Sequence, residues 1–420
     1  MERLIIKGGN RLTGKVKIGG AKNSAVAILP ATLLADEGTF VISNLPEIED
    51  IQNLKKTIEY LGGSVKKTND TTFNIDNTGV YTHKALNEET SKMRASYYLL
   101  GPLLNKYGSV ELNFPGGCSI GARPIDLHLK ALTDMGALTE VSHGVIKVSA
   151  PNGLHGTTIY FDTVTVGATI NVMLAAVKAE GTTIIKNAAK EPHVIDVANF
   201  LIKMGANIHG AGTDTIQIKG VSKLVACNHS IVPDQIEAGT YMIAAVATKG
   251  DVIVTDVVPK HLDFLTKKLE EMGASIETHK NSIRVSCSDR PFKNDIKTTP
   301  YPGFPTDLQQ PMSTLLSIAD GRSMICENIW ENRFKHLNEL QKMGINFKVE
   351  GNVAIIDGVE CLTGADVSAT DLRGGAAMVL AGLIAEDTTT ITDVIHIDRG
   401  YEKIEEKLTK LGANITREYK

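Results

Sequence analysis

At 420 residues the chain is longer than one hydrophobic core usually serves, so two domains are expected. Its 42% hydrophobic and 22% charged residues are ordinary for a globular protein. The net charge of −4 argues against a general nucleic-acid binder while leaving room for a local cationic site.

One pattern recurs from end to end. An amphipathic helix closes on Leu-Gly or Met-Gly and is followed by a strand. The six closures are Leu61-Gly62, Met135-Gly136, Met204-Gly205, Met272-Gly273, Met343-Gly344 and Leu411-Gly412, at intervals of 68 to 74 residues. Apolar residues at i, i+3, i+4 and i+7 give each helix one apolar face. Each glycine is predicted to take the positive φ of a left-handed C-cap. Units of about 70 residues exceed the roughly 20–50 of solenoid repeats, which points to α/β domains with three units around one core, twice over. A division falls near Ser230–Asp234, and the opening strand Arg3–Lys7 is compatible with either half.

In chain order, Gly9–Val16 nearly spells a P-loop, but Val16 stands where the magnesium-binding hydroxyl belongs and the segment reads as strand. Lys17–Ser24 places paired glycines, Lys22 and Asn23 at a helix start, a plausible anion cradle or an ordinary turn with an N-cap. Arg94 heads another apolar helix, where arginine can grip phosphate or serve as a solvated helix-end charge. Pro115, Gly116, Gly117 and Gly121 predict a loop around Cys118, with Arg123 near enough to tune the thiol. Glu191-Pro-His193 opens the third repeat helix. Asp307 sits in a Pro/Gly-marked turn before a helix, either a general base or an N-cap. Arg333, Arg373 and Arg399 each lie at a turn. The five cysteines, Cys118, Cys227, Cys287, Cys326 and Cys361, are odd in number and widely spaced, suggesting neither a disulfide framework nor a zinc site. Met1–Lys7 is too poor in apolar residues for a signal peptide, and no apolar run approaches the roughly 18 residues of a membrane span. A cytoplasmic protein is expected, without metal, nucleic-acid or membrane partner.

Together these segments resemble the UDP-N-acetylglucosamine 1-carboxyvinyltransferase family, from Leu4 to the last repeat. The Pro115–Pro124 loop and the Gly303–Asp307 turn are the most specific parts. The repeat is shared with 5-enolpyruvylshikimate-3-phosphate synthases and so speaks to fold. The resemblance implies two lobes, each an inside-out α/β barrel of three repeats. Residues 22–232 would form the first lobe, 1–21 with 233–420 the second, and the active site would lie in the cleft between them.

The implied reaction is addition–elimination. The sugar 3′-hydroxyl attacks C2 of phosphoenolpyruvate while C3 gains a proton; phosphate then leaves and C3 loses one. Cys118 matches the family's general acid, its site of covalent phospholactoyl adduct and its site of alkylation by fosfomycin; Asp307 matches the base. Lys22, Asn23, Arg123, Arg373 and Arg399 match the phosphoenolpyruvate site, with Lys22 and Arg399 also counted as catalytic. For the UDP-sugar the resemblance indicates Asn23, Arg94, Arg123, Pro124, Ile125, Asp126, Leu127, Thr165, Val166, Gly167, Asp307, Ile329 and Arg333. No cofactor is implied. The alternatives are 3-phosphoshikimate 1-carboxyvinyltransferase, whose site would not need Cys118, and a non-catalytic UDP-sugar-binding paralogue, which would have little use for both proton-transfer groups.

Overall fold

The computed structural model describes residues 2–114, 116 and 125–419, and its sheets follow one plan. Among the described residues there are six sheets, each of four strands. In one, Thr158–Tyr160 pairs in parallel with Thr182–Lys186, which pairs antiparallel with Thr215–Lys219 and that in turn with Asn207–His209. A parallel pair requires a crossover, here the helix Val166–Ala176. A second helix, Pro192–Lys203, joins Thr182–Lys186 to Asn207–His209.

The two helices of a repeat differ in what they touch. Crossover helices are apolar on every side: Val166–Ala176 is buried from Ala168 onward, Gln235–Ala247 from Ile236, and Leu372–Ile384 through Leu383. A helix apolar all round belongs inside. Small residues let these helices approach closely; a Cβ on Gly101 would stand 2.9 Å from the Ala175 nitrogen. The second helices are amphipathic, and Asp263–Glu271 buries little beyond Leu265 and Leu269. Helices inside and sheets outside make the inside-out α/β barrel expected from the sequence.

The chain forms two compact units. One comprises residues 20–232 as far as described, with a core running from Ala21 to Ile231. The other joins 2–19 to 233–419, with its own core from Leu4 to Ile415. Each is a set of three repeats closed on itself. In the first, Asn228–Ser230 returns to pair in parallel with Thr39–Ser43. In the second, Glu2–Lys7 lies between Thr388–Thr392 and Asn414–Tyr419, and Thr13–Lys17 pairs in parallel with Asp251–Thr255. The open question of the first strand is thereby answered, and the P-loop look-alike Gly9–Val16 is irregular up to Leu12 and strand from Thr13.

All six repeat glycines have φ between 95° and 109°. Their N–H groups bond three residues back, as from Gly205 to Ile202 at 2.9 Å, and after every one but Gly344 the next residue bonds five back, as from Ala206 to Leu201 at 3.0 Å. That pairing is a Schellman cap. A second recurrence escaped the sequence reading. Asn44, Asn187, Asp256 and Asp393 each follow a strand with φ of 53° to 57°. Their side chains tie the turn to the end of the parallel edge strand, Asn44 to the Ile231 carbonyl at 2.9 Å and Asn187 to that of Phe161 at 2.8 Å. Asp256 meets Lys17 at 3.4 Å, and Asp393 accepts from Ser368 at 2.7 Å.

Gly205 isolates the conformational cost, because a Cβ there meets nothing closer than the Lys223 carbonyl oxygen at 3.8 Å. Gly205→Ala is expected to lower the unfolding free energy by about 1–2 kcal/mol, with the urea m-value unchanged. Urea titration of the two proteins checks this.

Candidate functional site

In the 20–232 unit the candidate residues gather at helix starts. Lys22 is the first residue of Lys22–Ala31, and its ammonium lies 2.8 Å from Asp50, with side-chain exposures of 10% and 5%. Two charges so enclosed must be paired, since either alone would be strongly destabilising. Asn23 is half-buried on the same turn. Ammonium, amide and helix N-terminus together suit an anion. One residue on, Ser24 donates to Asp196, whose carboxylate also accepts from the Val232 N–H at 3.2 Å and lies 2.9 Å from His229 Nε2. That buried network pins the turn carrying Lys22.

Arg94 opens the 3-10 turn Arg94–Leu99, its guanidinium carbon 5.9 Å from the Tyr97 ring centroid. Burial pulls its pKa below the ordinary arginine value against the opposing effect of the Tyr97 and Tyr98 phenols. It is therefore half-buried rather than a solvated helix-end charge. The Tyr97 ring packs 4.4 Å from His128, and Asn171 Nδ2 lies 3.2 Å from His128 Nδ1. Burial, with Arg94 adding to it, pushes the His128 pKa down to about 3. Thr165 caps the helix Val166–Ala176 by accepting from the Ala168 N–H at 3.4 Å. A Cβ on Gly167 would stand 2.9 Å from the Tyr97 hydroxyl and 3.0 Å from the His128 ring. Glycine is thus required where that helix start meets both rings. Ile125 is buried just ahead of Asp126–Asp134, whose first residues are exposed Asp126 and half-buried Leu127. Arg94, Gly167 and the Asp126–Asp134 helix are thus linked through Tyr97 and His128.

In the other unit Asp307 sits in the 3-10 turn Thr306–Leu308 before Gln309–Leu316 and caps neither. Its Oδ1 accepts from Arg333 Nη2 at 2.9 Å and its Oδ2 from Arg373 Nη2 at 3.0 Å. Both arginine side chains are at most 4% exposed. Burial works against the charge of Arg373, but Asp307, Tyr401 and Asp234 hold its pKa above the ordinary arginine value. Asp371 caps Leu372–Ile384 by accepting from the N–H groups of Arg373 and Gly374 at 2.9 and 3.1 Å. It also accepts from Gln310 at 3.0 Å. Burial would raise its pKa; the Gly374 N–H and the Arg333 charge outweigh that and lower it. His336, fully buried beside Arg333 and Asp371, is pushed down to about 4 by burial.

Half-buried Ile329 is set by Glu327, which accepts from the Ile329 and Trp330 N–H groups at 2.8 and 3.2 Å. The same carboxylate takes the Thr298 and Thr306 hydroxyls, both at 2.9 Å, so it braces the Asp307 turn as well. Arg399 ends the short helix Ile395–Asp398, a turn held by Arg417 through two bonds to Asp398 at 2.9 and 2.7 Å. Cys118, Arg123 and Pro124 lie outside the described residues. Among the described residues no cluster of three or more His, Cys, Asp or Glu could hold a metal ion, and no helix is long and apolar enough to cross a membrane.

The sequence reading did not single out Asp50, Asp196, His128, Glu237 or His336. A usable signal existed for some: His128 and Asp196 interrupt apolar faces, and Glu237 stands near the head of an otherwise apolar helix. Glu237 accepts from the Gly19 N–H at 2.9 Å and from Lys407 at 2.5 Å.

A family model described as EPSP synthase (3-phosphoshikimate 1-carboxyvinyltransferase) matches residues 6–408. The UDP-N-acetylglucosamine 1-carboxyvinyltransferase 2 of Clostridium acetobutylicum is 58% identical over 418 residues, 100% of both chains. The UDP-N-acetylglucosamine 1-carboxyvinyltransferase 3 of Caldanaerobacter subterraneus subsp. tengcongensis is 59% identical over 417 residues, 99% of both. Among solved structures, the enolpyruvyl transferase NikO from Streptomyces tendae matches with a TM-score of 0.90 and 26% identity, over 99% of this chain and 98% of that one.

The depressed histidines give an acid-sensitivity test. His128 is neutral when folded and takes up a proton on unfolding below the ordinary histidine value of 6.5. The unfolded state then binds more protons, so stability falls as pH falls. Between pH 6.5 and about pH 4 the loss from His128 is roughly 3 kcal/mol, and His336 acts in the same direction. Urea titrations across that range should show His128→Gln with a shallower decline than the parent.

Proposed function

The chain belongs to the carboxyvinyltransferase family that includes EPSP synthase, and on that premise we propose that it transfers the enolpyruvyl group of phosphoenolpyruvate to the 3′-hydroxyl of UDP-N-acetylglucosamine, releasing phosphate. The observation that carries the choice of acceptor is the 58–59% identity, over essentially whole chains, to relatives named for it. The product is a peptidoglycan precursor, and the place of action is the cytoplasm.

In this reading Asp307 takes the hydroxyl proton as the oxygen bonds to C2, and Cys118 delivers a proton to C3. Protonating C3 makes C2 oxocarbenium-like, so a weak nucleophile suffices. Loss of a proton from C3 then expels phosphate from C2 and restores the double bond. Phosphoenolpyruvate is multiply anionic, and Lys22, Asn23, Arg123, Arg373 and Arg399 are its proposed partners. The UDP-sugar is assigned to Arg94, the 123–127 segment, Thr165, Val166, Gly167 and Ile329, together with Asn23, Asp307 and Arg333. What supports this is the chemistry of the groups: an enclosed ammonium at a helix start in one unit, and a carboxylate between two guanidiniums in the other.

Phosphate release from phosphoenolpyruvate is expected with UDP-N-acetylglucosamine and not with shikimate 3-phosphate. The reverse preference would make the chain a 3-phosphoshikimate 1-carboxyvinyltransferase, and release with neither would favour a binding paralogue. Cys118→Ser should keep UDP-sugar affinity by calorimetry and lose about 100-fold or more in kcat. An undiminished rate would remove Cys118 from the acid role.

A further inference from the structure

Asp307 is held by two guanidiniums, one on each carboxylate oxygen, and that division bears on how it acts as a base. Each takes a different carboxylate oxygen, Arg333 the Oδ1 and Arg373 the Oδ2. Asp307 is 26% exposed while the arginines behind it are 2% and 4% exposed, so the carboxylate is the open end of the cluster. The Nε and Nη1 atoms of Arg333 are buried without an acceptor among the described residues, and those of Arg373 have no closer neighbour of that kind than the Tyr401 hydroxyl. Buried donors left unmatched are costly, and a guanidinium binds carboxylate or phosphate best through two nitrogens at once.

We propose that Arg333 is a positioning residue for the base: it holds Asp307 through Oδ1 while Arg373 shares its charge with the arriving substrate anion, leaving Oδ2 to accept the hydroxyl proton. This rests on the carboxyvinyl-transfer reading. The proton moves from the sugar oxygen to Oδ2 as that oxygen bonds to C2, and Arg373 Nη2 releases Oδ2 toward the substrate anion while the Arg333 bond to Oδ1 stays in place.

The physical basis is competition for one cation. A guanidinium lowers a carboxylate's basicity, and the effect weakens when a second anion draws on the same charge. Substrate binding at Arg373 would therefore make Asp307 a better base at the moment it is required. Arg333 then fixes where the carboxylate points. It lies in the turn preceding His336–Gln341, beside His336, whose pKa of about 4 keeps that ring neutral near pH 7 and unable to replace the charge. Asp371 faces Arg333 and caps the helix that carries Arg373, while Tyr401 and Asp234 lie near Arg373. Glu327 reaches the Asp307 turn through Thr306.

The test compares Arg333→Met and Arg333→Lys with the parent in steady-state turnover of phosphoenolpyruvate and UDP-N-acetylglucosamine across pH. Circular dichroism and thermal melting check that each variant is folded. Arg333→Met should lose about 30-fold or more in kcat, with the KM for phosphoenolpyruvate within about twofold. Its acid limb in kcat should move up by about one pH unit, because losing a cation makes Asp307 protonate more readily. Arg333→Lys should restore the limb and recover only part of kcat, since an ammonium lacks the planar fork. An acid limb that stays put in Arg333→Met, or a loss confined to the phosphoenolpyruvate KM, overturns the proposal. If the methionine variant does not fold, a lysine variant with undiminished kcat does so. A parent without turnover on this substrate pair sinks the underlying reading as well, whereas an active parent with an unmoved limb sinks this inference alone.

Discussion

A helix surrounded by protein on every side satisfies its own backbone except at its ends. That constraint organises both units. The crossover helices have no solvent face along which to display functional groups, so their N-terminal turns take that role. Lys22, Arg94, Thr165 to Gly167, Glu237, Asp307 and Arg373 all lie in, or just before, the first turns of such helices. The N-terminal partial charge makes these positions hospitable to anions. Their side chains can differ between repeats without disturbing the helix bodies, whose apolar surfaces are committed to packing.

The second theme is how charges are kept in half-buried places. Lys22 meets Asp50, Glu237 meets Lys407, and Asp307 meets two arginines. Pairs of this kind contribute little net stability, because desolvation offsets much of the attraction. What they supply is a fixed direction for each head group. Glu327 does the same with neutral donors, drawing two hydroxyls and two backbone N–H groups onto one carboxylate. Burial also holds His128 and His336 neutral, so the surrounding fields are set by the carboxylates, lysines and arginines.

Much of the architecture could be read before any coordinates. The repeat glycines announce themselves because a left-handed residue after an amphipathic helix is both a local and a recurring requirement. The left-handed Asn44, Asn187, Asp256 and Asp393 serve an equally regular purpose and went unnoticed, since asparagine and aspartate after a strand look like any polar turn. At the site, Lys22, Arg94, Asp307 and Arg373 were visible through their motifs. Their pairing was not: Asp307 and Arg373 are 66 residues apart, and the intervening sequence carries no mark of the bond between them. Periodicity reports which face is buried, and it is silent on which charge from another repeat will meet it there.

The opening segment has one more consequence, for the order of assembly during translation. Glu2–Lys7 finds its two neighbours at Thr388–Thr392 and Asn414–Tyr419, nearly the length of the chain away. The 20–232 unit can close once its own residues have emerged from the ribosome, whereas the Glu2–Lys7 strand remains unmatched until residues 388–419 have been made. Exposed strand edges are the usual route to wrong pairing. The stretch is short, and its neighbours Arg3 with Glu418 and Arg417 with Glu2 give it a charge code for the right partner. Nascent chains stalled before residue 388 would carry that strand without either of its neighbours, and they are the species most in need of a chaperone.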